Sequence, residues 1–117
     1  MKIGTDIIQI DRVEKLIAKF GDKFAKRYLC DTEIALAKSN NTLAGFWSAK
    51  EAIAKALGCG IGAELAFHDM ILSKTSKGAP QFILSASAQK RFAIKSSSLS
   101  ISHDGGFAIA VVIIDFH

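Results

Sequence analysis

The stretch from Trp47 to Gly58, WSAKEAIAKALG, decides the fold because it predicts the longest helix of the chain. Its residues are strong helix formers, and neither Gly nor Pro interrupts them. We expect the helix to begin near Thr42 and to pack on a core through an apolar stripe. Lys50 falls in that stripe, in line with Ile53 and Leu57 at helical spacing. The helix therefore places a lysine on its buried side.

Two further charges of this helix, Glu51 and Lys55, lie four residues apart and share another face. As an exposed ion pair they would contribute only about 0.3 kcal/mol to helix stability. Lys50 could extend its ammonium past apolar neighbours into water. Helical spacing alone leaves open whether these charges belong to a solvated surface or to a site.

A β-branched stretch, Lys2–Ile10, predicts the first strand and contains a carboxylate, Asp6. An ionised carboxylate inside a strand is costly unless it is paired, hydrogen-bonded or bound to a metal. The alternative is that Asp6 lies at the end of the strand and caps a turn. Two separated carboxylates, Asp6 and Glu51, would suit Mg²⁺, which typically takes one or two carboxylates together with waters and substrate phosphates.

The segment DRVEKLIAKF that follows predicts a helix that opens with an Asp-x-x-Glu capping box, Asp11 and Glu14, and ends at Gly21. Its basic residues lie on a separate face: Arg12, Lys15 and Lys19. A second basic cluster comes directly after them: Lys23, Lys26 and Arg27. The net charge of +4 and the pI of about 9.2 favour an acidic partner, which leaves nucleic acid, an anionic small molecule and an acidic protein open.

The remaining chain predicts a short helix in CDTEIALAKS, a break at 39–42 and then, after the long helix, a glycine-rich turn, GCGIG, at 58–62. Further elements are expected in this order: strands HDMILSK and PQFILS, a helix in SASAQKRFAIK, and strands SSLSISH and FAIAVVIID joined by DGG. The last strand is almost wholly apolar, which is typical of a central, buried strand. Together these elements predict one α+β domain over residues 1–117 with a small antiparallel sheet around a long central helix.

The composition narrows the class of protein. Half of the 117 residues are hydrophobic and 22% are charged, which indicates a globular rather than a disordered chain. The two cysteines, Cys30 and Cys59, have no metal-binding spacing, so we expect a reducing, cytoplasmic location. We see no signal-peptide pattern and no apolar run of membrane-spanning length.

Two local patterns are ambiguous. The glycines of GCGIG follow a helix, whereas a phosphate-binding glycine loop precedes one, so this is no P-loop. It is either a helix C-cap with a tight turn or a place where backbone approaches a ligand closely. His103, at a strand end beside DGG, is the histidine that most resembles a site residue, although a turn histidine is usually only solvated.

Four blocks in order resemble the holo-acyl-carrier-protein synthases, the small bacterial 4′-phosphopantetheinyl transferases. They are Gly4-x-Asp6 followed by Arg12, the segment KRYLCDTE, the helix with Lys50-Glu51 and Lys55 that runs into GCGIG, and the ending SISHDGGFAIAVVI. The resemblance covers essentially the whole chain. Four features depart from the family pattern. Phe46 replaces a frequent arginine, Ala79 replaces a lysine, and Cys30 replaces a Thr or Ser, which would leave Asp31 or Thr32 to cap the helix. The DGG turn after His103 is more flexible than the polar turn that is usual in the family.

The resemblance implies transfer of the phosphopantetheine arm of coenzyme A to a serine of acyl carrier protein, with release of adenosine 3′,5′-bisphosphate. Asp6 and Glu51 would hold Mg²⁺, and Lys55 would neutralise charge on the transferring phosphate. Glu51, or a water that it orients, would take the serine proton. The residues implied to bind coenzyme A are Lys50, Lys55, Gly58, Gly60 and His103, and those implied to bind the carrier are Arg12, Lys15 and Lys19.

The resemblance also implies a homotrimer with active sites shared between subunits, and neither nucleic acid nor a membrane as a partner. The competing interpretation is a non-catalytic basic domain that binds nucleic acid or an acidic protein. Aromatic residues do not alternate with the basic residues, however, as they do in binders of single-stranded nucleic acid. We therefore favour the transferase.

Overall fold

The computed structural model describes all 117 residues. The elements are β1 (Lys2–Gln9), α1 (Ile10–Phe20), α2 (Asp22–Tyr28), α3 (Asp31–Leu36), α4 (Asn40–Leu57), a 3-10 turn (Phe67–Asp69), β2 (Met70–Lys74), β3 (Pro80–Leu84), α5 (Ala86–Phe92), β4 (Ile94–Asp104) and β5 (Phe107–Phe116). The α+β prediction is confirmed, with two small antiparallel sheets instead of one. None of the helices is both long and apolar enough to cross a bilayer.

The larger sheet has the strand order β1-β5-β4, and β2 pairs with β3 in a separate hairpin. The predicted central position of β5 is confirmed, but its predicted burial is right for one face only. Ala110 and Val112 point inward and are fully buried, whereas Ile109 and Ile113 on the other face are exposed. Both faces of the strand are apolar, so the sequence indicated burial on both, yet within one chain α4 covers one face of this strand and the other face is exposed.

α4 packs directly on β1, and a glycine makes this possible. A Cβ atom built on Gly4 would lie 1.9 Å from the carbonyl oxygen of Ala52 and 2.8 Å from the backbone nitrogen of Ala56. Real Cβ atoms do not come so close to backbone, so only glycine allows this approach. Because alternate residues of a strand share a face, Asp6 points toward the same helix as Gly4.

Several helix ends differ from the predictions. α1 begins at Ile10 with Gln9 as its N-cap and no side-chain capping bond, so the predicted Asp11–Glu14 capping box is wrong. The Asp11 carboxylate lies 3.8 Å from the Lys15 ammonium instead. The chain also forms α2, a helix of seven residues that is too short for its periodicity to stand out in the sequence. The helix predicted over 85–95 ends at Phe92. Ala93 follows with a φ of 52°, and β4 begins at Ile94.

Two turn predictions are confirmed. The residue after α1, Gly21, has a φ of 58° and ends the helix. Gly105 and Gly106, with φ of 58° and 85°, form the two-residue turn between β4 and β5. α4 starts at Asn40, slightly before the predicted Thr42, because the side chain of Ser39 accepts the backbone N–H of Thr42 at 3.2 Å.

Candidate functional site

Asp6 lies in the middle of β1, not at a strand end, so the alternative of a turn-capping aspartate is wrong. Its side chain is 16% exposed and receives two contacts from α4. The Lys55 ammonium lies 3.2 Å from Oδ1, and the Ser48 hydroxyl donates to Oδ2 at 3.1 Å. The carboxylate is therefore paired and hydrogen-bonded, which meets the requirement for placing a charge inside a strand.

Glu51 lies on α4 between Ser48 and Lys55, three residues after one and four before the other. Burial raises the pKa of the Glu51 carboxyl above its ordinary value, the neighbouring charge of Asp6 raises this pKa further, and the Lys55 ammonium opposes the shift. The two acids are thus close enough to repel each other. Lys55 forms its ion pair with Asp6 and not with Glu51, so the alternative of an exposed helix pair is wrong. The structure brings Asp6, Glu51 and Lys55 together.

This donor set fits a hard divalent cation. Nowhere does the chain gather three or more His, Cys, Asp or Glu side chains around a common point that could hold a metal. Two carboxylates are, however, the usual protein contribution to a Mg²⁺ ion that also binds waters and phosphate oxygens. The ammonium of Lys55 on the Asp6 carboxylate already demonstrates that this position attracts positive charge.

Lys50 has a different place from the other charges of α4. It is fully buried, and its ammonium donates to Glu33 Oε1 at 2.9 Å, the Tyr28 carbonyl at 2.7 Å and the Phe67 carbonyl at 3.1 Å. The ammonium does not reach water, so the alternative that Lys50 extends past its apolar neighbours into solvent is wrong. All three of its N–H donors are used inside the chain, so we leave Lys50 out of the proposed coenzyme A contacts.

The partner of Lys50, Glu33, is also fully buried. Its carboxylate accepts the backbone N–H of Cys30 at 2.8 Å and that of Leu72 at 2.8 Å, which ties α3 and β2 to α4. Cys30 itself is the N-cap of α3, so the expected capping by Asp31 or Thr32 is wrong. Burial lowers the pKa of the Lys50 ammonium, and the hydrogen bond that this ammonium donates to Glu33 opposes the shift.

The glycine-rich turn begins at the C-terminal end of α4. Gly58 has a φ of 79°, and its backbone N–H bonds to the carbonyls of Ala54 and Lys55. The helix C-cap interpretation is confirmed. Gly60 has a φ of 66°, so a second residue of the turn also uses the conformation that favours glycine.

His103 lies at the opposite end of the same helix. It is exposed and lines a surface cavity of about 180 Å³ together with Asn41 and Thr42, in the first turn of α4. A helix of 18 residues is about 27 Å long. Within one chain, His103 and Gly58 therefore do not line a common groove.

The exposed basic residues of α1 lie beside an apolar groove between α1 and α2. The groove has a volume of about 530 Å³ and is lined by Leu16, Phe20, Lys23, Phe24 and Arg27. Arg12, Lys15 and Lys19 are all exposed, and the Lys19 ammonium lies 5.2 Å from the centre of the Phe20 ring. This surface combines positive charge with an uncovered apolar patch.

A second apolar surface covers the outer face of the three-stranded sheet. Ile3 and Ile7 of β1 are 67% and 61% exposed and lie opposite Ile113 and Ile109 of β5. These four side chains form one patch that no element of the chain covers. A contiguous exposed apolar patch on a folded domain usually marks an interface.

The sequence did not indicate two residues of this arrangement. Ser48 is a small helical residue without any signal for a role. Glu33 belongs to the quoted KRYLCDTE segment, but nothing local indicates that it pairs with Lys50, which lies seventeen positions later.

Residues 2–112 match the family profile described as the 4′-phosphopantetheinyl transferase superfamily. The holo-[acyl-carrier-protein] synthase of Sulfurovum sp. (strain NBC37-1) is 67% identical over 116 residues, which cover 99% of this chain and 98% of the relative. That of Campylobacter fetus subsp. fetus (strain 82-40) is 54% identical, over 97% of this chain and 98% of the relative.

The fold is similar to a crystal structure of the Helicobacter pylori holo-[acyl-carrier-protein] synthase in complex with coenzyme A. The TM-score is 0.93 and the identity 48%, with 97% of this chain and 99% of the other covered. These similarities extend over nearly the full length and include the segments that carry Asp6, Glu51 and Lys55. The chain therefore belongs to the holo-[acyl-carrier-protein] synthases of the 4′-phosphopantetheinyl transferase superfamily.

Proposed function

We propose that this chain transfers the 4′-phosphopantetheine group of coenzyme A to a serine of acyl carrier protein and releases adenosine 3′,5′-bisphosphate. The observation that carries the proposal is the convergence of Asp6, Glu51 and Lys55 from two elements in a member of this family. A relative that bears the name of this activity is 67% identical, and the similar Helicobacter pylori enzyme was crystallised with coenzyme A.

In the proposed reaction, the carrier serine oxygen forms a bond to the phosphorus that bears pantetheine. The bond from that phosphorus to the bridging oxygen of the diphosphate breaks, and adenosine 3′,5′-bisphosphate leaves with the electron pair. The serine proton goes to Glu51 or to a water that Glu51 orients. Lys55 turns from Asp6 to the phosphate and neutralises its charge.

Asp6 and Glu51 would hold Mg²⁺ in this proposal, and the bound ion would supply positive charge to offset the charge of the diphosphate. The support is the chemistry of the two carboxylates and their mutual proximity. Gly58 and Gly60 then lie at the end of the site beside Lys55, where the absence of side chains leaves room for coenzyme A.

The basic residues of α1, Arg12, Lys15 and Lys19, form the proposed docking surface for the carrier protein. Carrier proteins of this class are acidic, so opposite charges steer the two proteins together. The groove between α1 and α2 accepts apolar side chains of the same partner. Salt weakens docking of this kind because exposed charges are screened.

We further propose that the enzyme is a homotrimer with shared sites. The apolar patch of Ile3, Ile7, Ile109 and Ile113 supplies the subunit interface. His103 then contributes to coenzyme A binding in a site whose Lys55 and Gly58 come from a neighbouring copy, since one chain holds these groups at opposite ends of α4.

The transfer itself is tested by mixing the purified protein with apo carrier protein, coenzyme A and Mg²⁺ and by weighing the carrier with mass spectrometry. The carrier gains one phosphopantetheine group, and Asp6→Ala and Glu51→Ala each abolish the gain without unfolding the chain. Matched controls are Asp31→Ala and Glu64→Ala, which remove exposed acids elsewhere and leave turnover intact. A carrier of unchanged mass with the wild-type protein would favour the non-catalytic binding domain.

Shared sites are tested by mixing two weakened variants, Lys55→Ala and His103→Ala, after dissociation and reassembly. If the site is shared, some interfaces of the mixed oligomer combine an intact Lys55 with an intact His103, and activity rises above that of either variant. If each site lies within one chain, mixing restores nothing. Ile7→Glu should also lower the oligomeric mass, whereas Ile83→Glu, an equally exposed change on the two-stranded sheet, should not.

A further inference from the structure

Ser48 is a fully buried polar residue of α4 that the reaction described above does not use. A buried serine inside a helix often bonds back to the carbonyl four residues earlier. Here the hydroxyl instead lies 3.1 Å from Oδ2 of Asp6 on β1 and 3.4 Å from the carbonyl oxygen of Ala108 on β5. Both acceptors belong to the sheet, so this hydroxyl is a contact between α4 and the sheet.

The hydroxyl has one proton and therefore donates to one acceptor at a time. Asp6 has the shorter contact and carries a full negative charge, and hydrogen bonds to charged acceptors are the stronger ones. The preferred state of Ser48 is thus a bond to Oδ2 of Asp6.

This bond determines which oxygen of Asp6 is available. Ser48 holds Oδ2, while Oδ1 faces the Lys55 ammonium two helical turns further along α4, with Glu51 between them. Without the hydroxyl, the carboxylate has a contact on one oxygen only and is free to rotate about its χ2 angle. The partners that orient a metal-ligating carboxylate typically contribute 10–100-fold, as an order of magnitude, to metal affinity.

We propose that Ser48 is a positioning residue: by holding Oδ2 of Asp6 it presents Oδ1 to the divalent cation shared with Glu51. This inference rests on the proposed function, which assigns Asp6 and Glu51 to that cation. Because Ser48 is fully buried, it acts on the cation through Asp6 alone.

The test measures binding of Mn²⁺, as a probe for Mg²⁺, to the metal-free protein by electron paramagnetic resonance. Ser48→Ala should raise the Kd of Mn²⁺ by about 10-fold or more. In the transfer assay, the same variant should raise the concentration of Mg²⁺ needed for half-maximal rate and leave the KM for carrier protein unchanged. Ser87→Ala, the same change at an exposed position of α5, is the matched control and should alter neither value.

A second variant separates the lost hydroxyl from any change in helix stability. Alanine has the highest helix propensity and glycine nearly the lowest, so Ser48→Gly destabilises α4 more than Ser48→Ala does. If the hydroxyl positions Asp6, both variants raise the Kd of Mn²⁺ equally despite their different melting temperatures. A Kd that follows the melting temperature instead would overturn the proposal.

The variant Asp6→Ala distinguishes this inference from the proposed function. If Asp6→Ala leaves the Kd of Mn²⁺ unchanged, the cation does not bind at Asp6 and the proposed function loses its metal site. If Asp6→Ala weakens Mn²⁺ binding but Ser48→Ala does not, the metal site stands and the positioning role of Ser48 is refuted.

Discussion

Replacement of Lys50 by methionine should destabilise the protein severely, although methionine has a similar length and is apolar. The reason lies in Glu33, which is fully buried and whose carboxylate would lose its only ammonium partner. Removal of one member of a buried ion pair typically costs about 3–5 kcal/mol, because an uncompensated charge remains. The carbonyls of Tyr28 and Phe67 also lose their donor.

The expected loss on Lys50→Met is large compared with the total free energy of unfolding of a small domain. Small domains have a free energy of unfolding of about 5–15 kcal/mol, so Lys50→Met removes a large part of it. The assay is urea unfolding followed by circular dichroism, with the free energy extrapolated to water. Lys15→Met is the matched control: its side chain is 80% exposed in a pair with the exposed Asp11, and exposed pairs contribute about 0–1 kcal/mol.

A double-mutant cycle identifies the cause. Glu33→Gln removes the negative charge that Lys50→Met leaves unpaired. The double variant should therefore lose less free energy of unfolding than the sum of the two single losses. If Lys50→Met costs no more than Lys15→Met, or if the two single losses simply add, the argument from an uncompensated buried charge is refuted.

Four further outcomes follow from the site and its packing. Gly4→Ala should lower the free energy of unfolding by at least about 2 kcal/mol in urea unfolding, because the new Cβ overlaps the backbone of α4; an unchanged value would contradict this packing. Glu51→Gln should have a higher free energy of unfolding than the wild type at pH 7 in EDTA. The folded pKa of the Glu51 carboxyl is raised, so this group contributes stability below its unfolded pKa and loses that contribution as pH rises through the folded pKa. The difference in free energy between variant and wild type should therefore vanish below about pH 4. Lys55→Ala should lower the rate of phosphopantetheine transfer about 100-fold, measured by mass spectrometry of the carrier, because an electrostatic contact to the reacting phosphate is lost. An unchanged rate would exclude that contact. Arg12→Glu should raise the KM for carrier protein and leave that for coenzyme A nearly intact, and equal effects on both would place Arg12 in the nucleotide site.

Local sequence patterns accounted for most elements of this fold. α4 was predictable because a helix is stabilised by bonds within its own segment, and its residues favour that conformation. The turn of Gly105 and Gly106 was predictable for the same reason, since it depends on the φ values of two adjacent residues. Asp6 was singled out because its charge conflicts with the apolar strand around it, whereas the roles of Glu51 and Lys55 followed from the family motif.

Contacts between distant segments were beyond the reach of these patterns. Lys50 was expected to contact coenzyme A. Its actual partner, Glu33, comes from another helix, so no local pattern indicated the pair. The seven-residue helix α2 and the true ends of α1 and α5 depend on packing more than on propensity.

By itself, therefore, the sequence determined the long helix, the strands, the hairpin turn and the family motifs, all of which are encoded in neighbouring residues. The tertiary structure alone decided that Lys50 is a buried partner of Glu33, that Ser48 and Lys55 each hold one oxygen of Asp6, and that His103 lies a helix length away from Gly58. The physical reason is that a charge or hydroxyl is defined by the groups that surround it in space, and the chain brings those groups from positions far apart in the sequence.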